Sequence, residues 1–224
     1  MKESGLEKVL TFLFLVCSFT VLLRFSLGLI FRKCIMNKIL LILGCFFMVS
    51  FVHAQCQIGL NEVDEFDSTK VVATIPISIG YMIPSRYEDD NGPKMIEEGK
   101  IIIIYTEKDS INAFLMTIVV PEHKFLKIDN GFNVLLKLSG GEVEAIYDVP
   151  DKSEFDRTIN MHSYQHSCVL TFNMYYRLTQ ETIEKIRINY KNKRRTITIS
   201  KEQGEALKEA FRCIGTVTDY YPRY

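Results

Sequence analysis

From residue 71 to residue 199, apolar side chains alternate with polar ones at a period close to two, the pattern of strands with one buried face. Over residues 71–81, Ile75, Ile77 and Ile79 share one face, and Pro76 marks an edge strand or a bulge, since proline gives a sheet no N–H. Ile101, Ile102, Ile103 and Ile104 run without interruption, which suits a strand buried on both faces. Further strands are expected over 111–120, where Pro121 ends the run, and over 123–128, 132–138, 142–149, 165–178, 183–190 and 194–199. Asp129-Asn130-Gly131 predicts a tight hairpin, because Asn-Gly supplies the positive φ angles such a turn needs. Ser139-Gly140-Gly141 and Lys191-Asn192-Lys193 predict two more turns. Residues 84–99, with the acidic Glu88-Asp89-Asp90, read as a solvated loop, and 150–162 as a polar connection.

After residue 200 the period changes. Ser200 and Gln203 make a capping box. Ala206, Leu207, Ala210, Phe211 and Ile214 then form one apolar face at helical spacing, and Gly215 offers a stop. The expected fold is α+β and mainly antiparallel: a curled sheet or meander, a partial barrel, with one C-terminal amphipathic helix packed on it. A lone helix covers little of a broad sheet, so the sheet is expected to curl.

The N-terminal region follows a different pattern. Residues 36–54 begin at Met36, place Lys38 before an apolar run from 39 to 52, and end in Val52-His53-Ala54, as a secretion signal does. The run is too short to span a bilayer. Upstream, the apolar stretch 9–31 is broken by Arg24. Two readings fit residues 1–35. Either translation starts at Met36, or 9–31 is a transmembrane helix with cytoplasmic Arg32, Lys33 and Lys38 behind it. Both send residues 55–224 across the inner membrane as a single β-rich domain, to the periplasm, outer envelope or exterior. In the second they stay anchored. Neither Cys45, inside the apolar run, nor Cys56, after Gln55, fits a lipid-attachment site.

Removing the leader changes the charge. Six of the 27 basic and two of the 27 acidic side chains precede Gln55, so the neutral chain holds a domain of net charge −4. That gives no footprint for nucleic acid. Half of the six cysteines leave with the leader. Cys56, Cys168 and Cys213 remain, enough for one disulfide and one thiol in an oxidising compartment.

Three stretches carry a family resemblance. They are Asp64-Glu65-Phe66; the run from Phe125 through Gly131 into Leu135 to Val143; and Tyr176 to Ile188, followed by the amphipathic helix. Together they resemble a group of small secreted or periplasmic β-rich proteins of unknown function from Gram-negative anaerobic bacteria. The resemblance implies a fold type and an envelope location, and it carries over no catalytic or binding residue.

The remaining chemistry is sparse. His162, His166 and Cys168 have metal-like spacing, but in a strand the two histidines lie ~13 Å apart, too far for one ion. His166 and Cys168 would share a face as ordinary core residues, unless a further ligand such as His123 came near. Glu88-Asp89-Asp90-Asn91 lacks the alternating ligands of a calcium loop, and Asp64 to Asp67 reads as an exposed turn. Lys185, Arg187, Lys191, Lys193, Arg194 and Arg195 form a basic hairpin that either touches anionic lipid or sugar or blunts a sheet edge. Cys168 and Cys213 read as structural thiols rather than nucleophiles. Tyr164, Tyr175, Tyr176, Tyr190, Tyr220 and Tyr221 read as sheet residues rather than a sugar platform. No G-x-S-x-G elbow and no H-E-x-x-H occurs. No catalytic, cofactor or metal residue is assigned. The expected function is a non-enzymatic binding or interaction module with an envelope or cell-surface partner. One alternative is a carrier with an apolar cavity between helix 201–214 and the sheet. Another is an unrecognised hydrolase, which needs a cleft where a histidine meets a carboxylate or thiol.

Overall fold

The computed structural model describes residues 57–220. The expectations for the leader, for Cys56 and for Tyr221 fall outside these residues. Eleven strands form one antiparallel sheet. They are β1 (Ile58–Val63), β2 (Lys70–Thr74), β3 (Ile77–Asp89), β4 (Gly92–Lys108), β5 (Ile111–Glu122), β6 (Gly131–Leu138), β7 (Val143–Pro150), β8 (Glu154–Asp156), β9 (Met161–Leu170), β10 (Ile183–Asn189) and β11 (Arg194–Thr198). Two helices, α1 (Phe172–Gln180) and α2 (Lys201–Thr218), complete the described chain. The order across the sheet is β1-β2-β4-β5-β9-β7-β6-β10-β11, with β3 also on β4 and β8 also on β9.

The sheet curls without closing and α2 packs on it, as the alternation and the capping box predicted. Ser200 accepts from Gln203 N while the Gln203 side chain accepts from Ser200 N, so the capping box is complete. Leu207, Phe211 and Ile214 are fully buried in the same core as Ile101, Ile103, Phe114 and Leu136. The Tyr175 ring stacks on Phe114, and its hydroxyl donates to Phe211 O at 2.8 Å. No helix among the described residues is long and apolar enough to cross a membrane.

Several elements differ from expectation. Residues 71–81 split at Ile75-Pro76 into β2 and β3, but both pair with β4 with only a small register change, so Pro76 does mark a bulge on that edge. Residues 84–99 are no loop. β3 and β4 continue as an exposed hairpin arm that turns at Asp90-Asn91 into Gly92, whose φ is +100°. The Asn-Gly signal was real there, and the acidic side chains only make the arm soluble. At Asp129-Asn130-Gly131 the same signal misled, since residues 123–130 form no strand. β5 runs on through Pro121 to Glu122. The loop that follows is held by Tyr164, whose hydroxyl accepts from Leu126 N and donates to Leu126 O. The predicted strand 165–178 ends at Leu170. Thr171 caps α1 by accepting from Met174 N at 3.2 Å, so cap chemistry overrides aromatic strand propensity. Gly215 is not a stop, because α2 continues to Thr218 and ends at left-handed Asp219. A Cβ on Gly215 would stand 2.7 Å from the Tyr175 hydroxyl, so this glycine serves close packing.

Candidate functional site

Alternation on β9 turns Tyr164, His166, Cys168 and Leu170 inward. On the neighbouring strand Asp148 also points inward, directly opposite Cys168 and one step from His166. His166 Nδ1 is hydrogen-bonded with Asp148 Oδ2 at 2.9 Å, and Nε2 faces the Tyr190 hydroxyl of β10 at 3.4 Å. A histidine therefore does meet a carboxylate beside a thiol, but both side chains of the pair are 0% exposed. No substrate reaches a pair enclosed in this way. Burial first, and the Asp148 charge second, push the Cys168 thiol far above its usual range. It stays protonated, the opposite of an activated nucleophile. Cys213 is disulfide-bonded, and among the described residues Cys168 is the free thiol.

A second cluster lies beside the first. Glu122, at the end of β5, is 1% exposed in its side chain, and Arg195 of β11 is 12% exposed. Arg195 Nη1 lies 3.1 Å from Glu122 Oε1, and Lys193 Nζ lies 2.7 Å from Glu122 Oε2. Arg195 also donates to Pro121 O at 2.9 Å and to Glu98 O at 3.3 Å. Burial and the Glu122 charge raise the Tyr190 phenol above its ordinary value. Glu122 Oε1, Asp148 Oδ1 and Arg195 Nε are buried with no hydrogen-bond partner among the described residues. The Glu122–Arg195 contact is thus carried by charge rather than by hydrogen-bond alignment.

These positions correct the reading of the basic hairpin. Arg195 points into the fold, and Lys191 and Lys193 are engaged by Asp129 and Glu122. Only Lys185, Arg187 and Arg194 face solvent without a carboxylate among the described residues. The histidines do not converge. His166 is internal, His162 sits edge-on between Phe125 and Phe155, and His123 is exposed. Among the described residues no three His, Cys, Asp or Glu side chains could hold one metal ion. Tyr164, Tyr175 and Tyr190 are buried, so no sugar platform forms from them. Asp148 and Glu122 went unnoticed in the sequence. The alternation of β7, with Ile146 and Asp148 in and Ala145 and Tyr147 out, is the signal that places the first.

The outer face of the sheet has its own pattern. The register aligns Leu60, Ala73, Ile104, Leu115, Val169 and Tyr147 in one row across six strands. Val149 and Phe132 extend the belt, and Phe132 packs edge-on against Tyr147 at 5.5 Å. The four isoleucines fit here. Ile101 and Ile103 are fully buried, whereas Ile102 and Ile104 face outward and are only half-buried. The strand is apolar on both faces and covered on one.

No family model, no curated protein and no solved structure matches the chain.

Proposed function

We propose that the chain is an exported, non-enzymatic interaction module of the cell envelope, in line with its resemblance to small secreted β-rich proteins. The observation that carries this reading is the apolar belt from Leu60 to Tyr147. Contiguous exposed apolar surface on a folded domain marks a contact site more often than chance. The polar groups that could do chemistry lie inside the sheet, as His166, Asp148 and Cys168 do, where they serve packing. Leu207, Phe211 and Ile214 fill the region beneath α2, which leaves the carrier reading without its cavity at those positions. Residues 36–54 supply the export half of the reading.

The test is Tyr147→Lys with Val169→Lys, two charges placed on the belt at positions that bear little on the core. Envelope fractions from cells should lose the variant while its thermal unfolding stays near that of the parent. An unchanged envelope fraction contradicts the reading.

A further inference from the structure

The two ends of the curled sheet carry complementary surfaces. At one end, the β1–β2 turn presents Phe66, 99% exposed, and the β4–β5 turn presents Ile111, 75% exposed. No other large apolar side chains in the described domain are as exposed. The Phe66 turn is nevertheless well ordered. Asp64 Oδ1 accepts from Phe66 N at 2.7 Å, Asp67 Oδ1 from Thr69 N at 3.0 Å, and Lys108 Nζ donates to Asp67 Oδ2 at 2.6 Å. The backbone beneath Phe66 is held before docking, so only the side chain's rotamer freedom remains to be lost, which makes it a ready anchor. Around it Glu62, Asp64, Glu65 and Asp109 are exposed, with no ion pair among the described residues.

At the other end, Phe125 and Phe155 stand exposed on either side of His162, with ring centroids at 6.0 and 5.3 Å. Lys124 and Lys127 on the same loop, and Arg194 on the nearby hairpin, are exposed, as is Glu154 beside Phe155. The twelve residues of β5 from Ile111 to Glu122 separate the two ends. At ~3.3 Å per residue that is about 40 Å, so the ends of one molecule do not meet.

We propose that a second copy of this chain is the partner. Phe66 of one molecule seats against Phe125 and Phe155 of the next, with Asp64 and Glu65 facing Lys124, Lys127 and Arg194. Such a contact joins two different surfaces, so it propagates head to tail rather than closing as a two-fold dimer. It is separate from the belt on the outer face and survives or fails independently of it.

The test is light scattering on the full chain as recovered from cells, with Phe66→Ser and with Phe125→Ser plus Phe155→Ser. All three side chains are exposed, so the variants should fold, and thermal unfolding checks that they do. The parent should grow in mass with concentration at low salt and return to monomer as salt rises. Each variant alone should remain monomeric. Mixed in equal amounts, they should form dimers and grow no further, because one retains only the receiving end and the other only the anchor. A parent that stays monomeric, an assembly that survives Phe66→Ser, or a mixture that stays monomeric would overturn the proposal. None of these outcomes touches envelope association through Tyr147 and Val169.

Discussion

Arg195 of β11 and Glu122 of β5, 73 positions apart in the chain, meet inside the curl with Nη1 and Oε1 3.1 Å apart. The sheet path places β5 and β11 far from one another, with β9, β7, β6 and β10 between them. The contact therefore crosses the interior and ties the last strand back to the first half of the sheet. Arg195 strengthens that tie through Pro121 O and Glu98 O, and Gln203 at the start of α2 donates to Gly80 O at 2.9 Å. The basic hairpin thus supplies the seam that holds an unclosed sheet in its curl.

Gly80 should be intolerant of a side chain. Its φ of +75° disfavours L residues, and a Cβ there would lie 2.8 Å from Ile197 Cγ2 and collide with the Glu98 carboxylate. Gly80→Ala should destabilise the fold by about 2 kcal/mol or more, combining backbone strain with a steric shift at the seam. Gly141→Ala has a φ of +90° with open space around it, and should lose only ~1 kcal/mol. Denaturant unfolding of the pair separates packing from backbone conformation.

The Cys168 thiol should be inert in the folded protein. Burial and Asp148 hold it protonated, so iodoacetamide should label it only as the chain unfolds, at a rate set by unfolding. Rapid labelling under native conditions at neutral pH would refute the structural reading of this residue.

Stability should fall at alkaline pH. Burial, with Glu107 second, raises the Tyr105 phenol from 10.0 to about 12, and burial likewise raises Tyr190 and Cys168. A folded-state value above the unfolded one means the native state holds its proton more tightly. That stabilisation is complete below the unfolded values, near 9 for the thiol and 10 for the phenols, and is lost as pH rises above them. Urea midpoints should be level from pH 7 to 9 and decline above 10.

The opposite sign applies at the Phe66 turn. Lys108, then Thr69, lowers the Asp67 carboxyl from 3.8 to about 2. What it contributes is present above 3.8 and lost as pH falls toward 2. Carboxyl carbon shifts measured by NMR should give a midpoint near 2, and Lys108→Ala should move it back up toward the ordinary value.

Where local chemistry and periodicity agree, the elements are legible from residues alone. Ser200 and Gln203 announce α2, and the alternation of Ile186, Ile188 and Tyr190 with polar Arg187 and Asn189 announces β10. The hairpin arm was hidden because Glu88, Asp89 and Asp90 favour loops, and only pairing with β4 holds Glu88 and Asp89 in a strand. The helix α1 was hidden because Phe172, Tyr175 and Tyr176 favour strands, and only Thr171 and burial of Leu178 beneath α2 tip the balance. The partners across the seam were not legible at all. Nothing near Arg195 in sequence points to Glu122, since their meeting depends on how far the whole sheet curls.

The seam is tested most directly by a double-mutant cycle on Arg195→Met and Glu122→Gln, read as unfolding free energy. Arg195→Met leaves the buried Glu122 carboxylate with Lys193 alone and should lose about 3 kcal/mol. With Glu122→Gln added, much of that loss should disappear, giving a coupling of ~2 kcal/mol. Losses that simply add, with no coupling, would contradict a seam built on these two residues.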